Sequence, residues 1–435
     1  MDITMSRKRA EISSPSDVLP QQNQPPAAER RGGRSNWFPL PSTAAIAHFH
    51  RRRFLSFRSA FLCLITFAVA AAFILYSSRF ANSRFAWFGE AVQSGNVSGE
   101  AYHSPEVFKL DYAEMEREFK VYMYPEYDYG GPPIQSTISG KYASEAYFFK
   151  NIKESAFLTK DPEQAHLFFI PISCHRLHRK VSSYDEMGSI VQEYVKGLAQ
   201  RYPYWNRTLG ADHFFLTCHE IGVGATKKVR FLAKNAIRVV CSASYGTDFI
   251  PHKDVSLPLV IQPFSKPAGH EMHGRSILGY WAGYRNSKTR NKLVKRWGKD
   301  KELDIQNSTA YASGRMEKFY RSKFCICPVG SSVNSNRITM AIHYGCVPVI
   351  LADHFHLPFS NVLDWSKFSV VVKERDIFNL KKILKARVGT SYRILHSNLL
   401  EVQKHFQWNA VPLKFDTFHM ILHQLWLRRN VVKYV

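Results

Sequence analysis

The chain has 435 residues, a formal net charge of +24, and 45% hydrophobic residues, with 14% aromatic residues. This apolar content is enough for one large or two ordinary hydrophobic cores, so the composition excludes a largely disordered protein. Residues 1–58 differ, because proline, serine, glutamine and arginine are frequent there without apolar periodicity, and we predict a disordered cytosolic tail.

An uncharged apolar segment follows this tail. Residues 59–78 read SAFLCLITFAVAAAFILYSS, and about 20 apolar residues suffice for a helix to cross a bilayer. A cleaved signal peptide would begin near the first residue and would have a shorter apolar region, of about 7 to 15 residues, so we predict a retained transmembrane signal anchor. Ten lysines and arginines precede Ser59, which by the positive-inside rule keeps the amino terminus in the cytosol.

Three acceptor sequences for N-glycosylation, at Asn96, Asn206 and Asn307, all follow the predicted anchor. Anchor and acceptor sequences together place residues 79–435 in the secretory lumen, as in a single-pass type II membrane protein. We predict that residues 79–115 form a stem between the membrane and the folded part.

The lumenal part is basic as well. Only four acidic residues offset the ten basic residues before Ser59, which leaves +18 of the total charge of +24 beyond that point. In the cytosol such a balance would suggest nucleic acid, and a lumenal position excludes that partner. Two interpretations remain: attraction for phosphate-bearing nucleotide sugars or acidic polysaccharides, and a solvated basic surface without a ligand.

Short apolar strands alternate with helices along the lumenal chain, a pattern typical of parallel α/β sheets. A loose segment near residues 264–275 separates two such series. We therefore predict an α/β fold of two Rossmann-like domains facing a cleft, residues 116–268 and 269–390, with ligands at the carboxyl ends of the strands. The predicted strands are 120–124, 166–170, 213–217, 276–282, 324–327, 347–351 and 369–372, and the predicted helices are 142–158, 288–297, 336–344, 376–385 and a helical pattern over 391–428.

One loop predicts phosphate binding. Residues 330–335 are mostly small or hydrogen-bonding, follow a strand and open a helix near Asn336, and free N–H groups at a helix start bind phosphate. Arg337 adds a cation at the positive end of the helix dipole, where a phosphate would offset its cost. The alternative is that the serines of this loop only cap the helix.

The same stretch resembles the signature of plant exostosin-like glycosyltransferases, glycosyltransferase family 47. In that signature a strand ending in Cys-Pro-x-Gly, here Cys327 to Gly330, leads through Ser-x-Arg into a helix and then to Gly-Cys-Val-Pro-Val-Ile, here Gly345 to Ile350. The resemblance covers residues 120–385, because further segments follow in family order, among them residues 120–125, 161–171, 203–207, 210–214, 253–258, 357–359 and 362–365.

The resemblance implies a GT-B architecture, in which an amino-terminal acceptor domain faces a carboxyl-terminal domain that binds a nucleotide sugar. It also implies inversion at the anomeric carbon without a metal or other cofactor, and carboxyl-terminal helices, residues 391–435, that pack back on the first domain. The donor-binding residues that we predict on this basis are Arg285, Gly330, Ser331, Ser335, Arg337 and Met340. For Arg290 a ligand role and a solvated helix face both stay open.

Met340 departs from the family pattern. Family members commonly have a glutamate on the signature helix, three positions after the arginine, and a methionine accepts hydrogen bonds from hydroxyl groups only weakly. Three explanations stay open: the donor geometry differs in this chain, another group such as His343 takes the place of the glutamate, or catalysis has been lost.

The general base should lie at a strand end of the first domain, where it can deprotonate an acceptor hydroxyl. The candidates are His219 and Glu220, which follow the strand at 213–217, and Asp212, with Asp248 and Asp254 as alternatives.

Six cysteines follow the predicted anchor, in a compartment that permits disulfides, and the sequence does not determine their pairing. Cys325 and Cys327 point to one face of a strand, without a second cluster at zinc spacing, so we predict buried or disulfide-linked cysteines and no metal site.

We therefore expect an inverting glycosyltransferase that transfers a sugar from a nucleotide donor, UDP-linked, to a cell-wall polysaccharide in the Golgi. The basic charge suggests an acidic acceptor, and other glycosyltransferases are candidate partners. One alternative is a catalytically inactive family member that acts as a scaffold or binds polysaccharide. Another is a membrane-tethered nucleic-acid-binding protein, which would require a cytosolic basic domain.

Overall fold

The structure, a computed structural model, describes residues 61–62, 64–77, 97–128, 143–181, 183–218, 220–261, 267–269, 271–272, 274–307, 315–330 and 336–430. The chain forms two compact units, Met1–Ala81 and Asn82–Val435.

In the first unit the described residues form one helix, α1 (residues 61–62 and 64–77), whose large apolar side chains are exposed. Residues 59, 60, 63 and 78 of the predicted anchor lie outside the described residues. Within the part of the chain that the structure describes, no helix combines the length and the apolarity that a membrane crossing requires. The signal anchor therefore stays a prediction.

The second unit contains two parallel sheets. The first has six strands in the order β2-β1-β3-β4-β5-β6, and all neighbouring strands are parallel. Every residue of its central strand β4 is buried, as expected for a parallel sheet covered on both faces. The strands are β1 (Val121–Met123), β2 (Leu158–Thr159), β3 (Leu167–Phe169), β4 (His213–Thr217), β5 (Ile237–Val240) and β6 (Val255–Ser256).

The second sheet has five parallel strands in the order β11-β10-β9-β7-β8. Its strands β9 and β10 lie in the middle and are almost fully buried. The strands are β7 (Ile277–Ala282), β8 (Leu303–Gln306), β9 (Ser322–Pro328), β10 (Val347–Leu351) and β11 (Val370–Val372).

Helices connect the strands and cover the sheets. They are α2 (Pro105–Glu118), α3 (Ala143–Glu154), α4 (Cys174–Lys180), α5 (Tyr184–Arg201), α6 (Tyr204–Thr208), α7 (Glu220–Lys227), α8 (Arg230–Asn235), α9 (Lys288–Trp297), α10 (Arg315–Arg321), α11 (Arg337–His343), α12 (Leu380–Lys385), α13 (Thr390–Val402) and α14 (Thr417–Arg428). Short 3-10 helices occur at Pro162–Gln164, Tyr245–Thr247, Trp365–Lys367, Glu374–Asn379 and Gln403–Phe406.

The predicted α/β architecture of two parallel sheets is confirmed, and it fits the GT-B fold. One difference lies at the carboxyl end, where the single helical pattern over 391–428 is two helices with an irregular segment between them. Asp416 explains the second start, because its side chain accepts a hydrogen bond from the His419 N–H at 3.1 Å and so caps α14.

The last helix packs against elements that belong to or surround the first sheet. Helix α14 contacts α2 and β6. Near it, the Arg428 guanidinium donates to the Pro251 carbonyl at 2.9 Å, and the Trp408 indole donates to the Pro258 carbonyl at 3.2 Å. These contacts attach the carboxyl-terminal segment to the amino-terminal sheet.

Two disulfides join neighbouring strands. Cys218 and Cys241, which directly follow β4 and β5, form one, and Cys325 of β9 forms the other with Cys346, which precedes β10. Cys174 and Cys327 are buried free thiols. The prediction of buried or disulfide-linked cysteines is confirmed for Cys325 and Cys327.

Candidate active site

The carboxyl ends of the two sheets face each other. Ser244, which follows β5, forms an antiparallel bridge with Phe355, which follows β10. Beside it the Tyr245 N–H donates to the His354 carbonyl at 3.1 Å. Ligands of parallel α/β sheets bind beyond the carboxyl ends of the strands, so the region between these two edges is the candidate site.

Arg337 lies at the carboxyl edge of the second sheet. It is the first residue of α11, and its Nη2 and Nε donate to the carbonyl of Ala282, the last residue of β7, at 2.9 and 3.3 Å. Its guanidinium carbon lies 5.9 Å from the centre of the Trp281 ring. These contacts hold a fixed positive charge at the end of β7.

Arg290 adds a second guanidinium at the same edge. Its Nη1 donates to Asn286 Oδ1 at 2.7 Å and its Nη2 to the Pro328 carbonyl at 3.4 Å, while its buried Nε has no hydrogen-bond partner among the described residues. Burial, together with the positive charge of Arg337, lowers the pKa of Arg290 to about 10. The side chain is 6% exposed, so the solvated-face alternative for Arg290 is wrong.

Two glycines leave space for these guanidiniums. A Cβ atom added at Gly330 would lie 2.6 Å from Arg290 Nη2, and one added at Gly283 would overlap Arg337 Nη2. An alanine at either position would therefore have to displace the guanidinium beside it.

A small cleft with a volume of about 40 Å³ lies beside Arg337, bounded by β7, β9, α10 and α11. Polar atoms make up more of its surface than apolar atoms do, and the buried indole Nε1 of Trp281 has no hydrogen-bond partner among the described residues. Burial raises the pKa of the Cys327 thiol to about 12, so this wall residue is neutral. The Arg337 guanidinium and the Trp281 N–H are donors that suit an anionic group of a ligand. The main lining residues are Tyr280, Trp281, Phe319, Cys327, Arg337 and Met340.

The other predicted donor residues differ in position. Arg285 is exposed, and its Nε donates to Asn291 Oδ1 at 2.8 Å. Ser331 and Ser335 lie outside the described residues, so the phosphate-binding loop stays a prediction. Met340 lines the cleft, and His343 is buried in the last turn of α11, where burial lowers its pKa.

Asp212 precedes β4 and therefore lies at the amino edge of the first sheet. Its carboxylate accepts hydrogen bonds from Thr208 at 2.6 Å and from His213 Nδ1 at 2.6 Å, and Arg207 donates to it at 3.2 Å. Burial opposes its ionisation, but the hydrogen bonds and charges of these neighbours outweigh burial and hold the pKa of Asp212 below its ordinary value. This position and these partners indicate a structural role, so we do not propose Asp212 as the base.

The described part of the structure gives no support for the remaining base candidates. His219 lies outside them, and Glu220 begins α7 with a side chain that is also outside them. The alternative Asp254 is fully buried between Arg238, at 2.6 Å, and Lys253, at 2.5 Å, which makes it part of a structural ion-pair network.

Glu145 is a buried carboxylate that the sequence analysis did not select. It lies in the first turn of α3 and contacts the segments after β3 and β4, at the carboxyl edge of the first sheet. A signal for it exists in the sequence, since Glu145 shares a helix face with Phe148, Phe149 and Ile152, at spacings typical of a buried face.

Of the predicted glycosylation sites, Asn206 on α6 and Asn307 after β8 are exposed, and Asn96 lies outside the described residues. Among the residues that the structure describes, no group of three or more His, Cys, Asp or Glu side chains could hold a metal ion. Metal independence stays a prediction.

Two facing parallel sheets with a pair of guanidiniums at one carboxyl edge define an α/β protein of the GT-B type with a site suited to an anionic ligand. Comparison with known proteins identifies its family. The model of the exostosin GT47 domain matches residues 115–387. The chain therefore belongs to the exostosin GT47 family and is a glycosyltransferase.

Several plant proteins are similar to this chain. A probable glycosyltransferase of Arabidopsis thaliana is 36% identical over 348 residues, covering 77% of this chain and 67% of the relative. A probable glucuronoxylan glucuronosyltransferase of Arabidopsis thaliana is 30% identical over 318 residues, covering 66% of this chain and 67% of the relative. A probable glucuronosyltransferase of Oryza sativa subsp. japonica is 28% identical over 312 residues, covering 65% and 71%.

Proposed function

We propose that this protein is an inverting, metal-independent glycosyltransferase that transfers a sugar from a UDP donor to a cell-wall polysaccharide. We propose further that it works in the Golgi as a single-pass type II membrane protein with residues 79–435 in the lumen. Relatives named as glucuronoxylan glucuronosyltransferases support the polysaccharide acceptor, and they make UDP-glucuronic acid with xylan fragments the first pair to test.

The observation that supports the donor site best is the pair Arg290 and Arg337. Burial and, to a smaller extent, the charge of Arg337 lower the pKa of Arg290, and no carboxylate of the described residues is among the groups that affect it. Two cations therefore repel each other at one strand edge. Two phosphate groups would offset this repulsion, because guanidinium groups bind phosphate oxygens in a bidentate manner.

The same pair explains how the leaving group would be stabilised. When the anomeric carbon–oxygen bond breaks, negative charge develops on the departing diphosphate. Guanidiniums already fixed by the Ala282 and Asn286 oxygens stabilise that charge without reorganising. In this scheme the protein supplies the positive charge that a divalent ion supplies in other transferases.

The test is a calorimetric titration of the full chain in detergent with UDP, in the presence of EDTA. We expect micromolar binding in the wild type and at least about tenfold weaker binding in Arg337→Ala, because a hydrogen bond to a charged group contributes about 1.5–3 kcal/mol. Lys295→Ala, on the exposed face of α9, is the matched control and should bind UDP like the wild type.

A folded wild type that binds no UDP would contradict the proposal and favour the second candidate, a catalytically inactive member that acts as a scaffold or binds polysaccharide. Met340 is the observation that favours this candidate, since its thioether lines the cleft where family members commonly have a glutamate. Protease protection of residues 79–435 in sealed vesicles tests the topology, and digestion of these residues would contradict it.

A further inference from the structure

Glu145 is a buried carboxylate with an incomplete set of partners. It is 3% exposed, and it accepts hydrogen bonds from the Ser173 side chain and the Cys218 backbone N–H. Its Oε2 has no hydrogen-bond partner among the described residues. A buried carboxylate oxygen without a partner costs free energy, and such costs persist where function requires them.

The position of Glu145 is that of a ligand-binding group. Ser173 follows β3, and Cys218 is the first residue after β4, so the carboxylate lies over the carboxyl ends of two neighbouring strands. The next strand, β5, leads to Ser244, which pairs with Phe355 of the opposite sheet. Glu145 and the guanidinium pair therefore lie on the two strand edges that face each other.

The surroundings of Glu145 do not balance its charge. The titratable group beside it is the Cys174 thiol, whose own pKa is raised by burial and by the charge of Glu145. No lysine, arginine or histidine of the described residues is among the groups that affect the Glu145 carboxyl. Burial raises its pKa to about 8, and the hydrogen bonds from Ser173 and Cys218 offset only part of that rise. Proton acceptors in enzymes often have such a pKa near the working pH.

We propose that Glu145 is the catalytic base of the transfer reaction, with Oε2 as the atom that accepts the proton of the acceptor hydroxyl. This inference rests on the proposed function. The acceptor O–H bond breaks and its proton moves to Glu145, while the oxygen forms a bond with the anomeric carbon. The bond from that carbon to the diphosphate oxygen breaks, and its electron pair leaves with UDP. The proton later passes from Glu145 to water.

The experiment compares Glu145→Gln with Glu154→Gln in the full chain. Glu154 lies on the same helix, but it is exposed and lies 3.9 Å from Lys150 in an ion pair. For each variant, UDP affinity and the thermal midpoint are measured. UDP release is then measured with a panel of UDP-sugars, beginning with UDP-glucuronic acid as donor and a xylo-oligosaccharide as acceptor. We expect Glu145→Gln to bind UDP like the wild type and to lose at least about 100-fold in turnover, within the range that general bases contribute.

The pH profile of the wild type is a second readout that needs no variant. An acceptor of protons must be ionised, so kcat/KM should rise with pH and become constant above about 8. A profile that is flat from pH 6.5 to 9 would overturn the inference even if Glu145→Gln failed to fold.

The outcomes separate this inference from the proposed function. Turnover by Glu145→Gln within threefold of an active wild type would overturn the role of Glu145 and leave the proposed function standing. A folded wild type that binds no UDP, or that turns over none of the donors, would overturn both.

Discussion

Replacing Arg290 by methionine should stabilise the protein and weaken its binding of UDP. Burial, together with the positive charge of Arg337, lowers the pKa of this guanidinium to about 10 on folding, which means that the folded state disfavours its charged form. The charge therefore destabilises the fold at every pH below about 10 and stops doing so as the pH rises above that value. At neutral pH this lowering of the pKa corresponds to a loss of about 3 kcal/mol in the free energy of unfolding.

The substitution also removes the hydrogen bonds to Asn286 and Pro328, which together contribute about 1–2 kcal/mol. Methionine has a similar length and keeps most of the apolar contacts, so the net gain should be about 1–2 kcal/mol. Differential scanning fluorimetry with and without UDP measures both effects. We expect Arg290→Met to melt above the wild type without UDP and to lose most of the UDP-induced rise in Tm.

Lys295→Met is the control, because Lys295 lies on the same helix with an exposed side chain. It should change neither Tm nor the response to UDP. If Arg290→Met melted below the wild type, or kept the full response to UDP, the assignment of Arg290 as a strained ligand of the diphosphate would be refuted.

Three further variants test other parts of the structure. Gly330→Ala should weaken UDP binding at least about tenfold in calorimetry, since the new methyl would displace the Arg290 guanidinium. Replacing both Cys325 and Cys346 by alanine should lower the free energy of unfolding in urea by about 3 kcal/mol, as expected for a loop of 21 residues. His423→Phe should reduce acid sensitivity. Burial lowers the pKa of this histidine to about 3, so its stabilisation is complete above about pH 6.5 and is lost as pH falls towards 3. At pH 5 the free energy of unfolding of the wild type should be about 2 kcal/mol lower than at pH 8, and His423→Phe should not show this decrease.

The sequence predicted the fold where an element is a continuous apolar run with a clear end. The strands at 213–217 and 347–351 were predicted to the residue because each is a short apolar run. The helix at 288–297 was also predicted to the residue, and it lies between Ser287, which caps its start, and Gly298. The strands β2 and β6 were missed because two residues are too few to show a period. Disulfide pairing was also beyond prediction, since Cys218 and Cys241 become neighbours only when β4 and β5 pair.

The candidate site was predicted in part, and the roles of two of its buried residues, Arg290 and Glu145, were not recognised from the sequence. Arg290 shares a helix face with Leu293 and Trp297, which predicts burial, but a charged residue on a basic helix also suggests solvent. Glu145 was not predicted as a base because in the sequence it lies within a helix, and the predicted base candidates lie next to the ends of strands. The fold brings it there from the start of a helix, through contacts that no spacing in the sequence encodes.

Buried ionisable groups in this protein differ in how completely their partners satisfy them, and two incompletely satisfied groups lie at the facing strand edges. Asp254 is fully buried, but Arg238 and Lys253 pair with it, and Asp212 is likewise surrounded by donors. Such groups stabilise the folded state only as complete networks. Glu145 and Arg290 each leave one buried polar atom without a partner among the described residues, and they lie on the two facing strand edges. A substrate that presents a hydroxyl group to one edge and a diphosphate to the other would complete both sets of partners, and the transfer reaction joins these two groups.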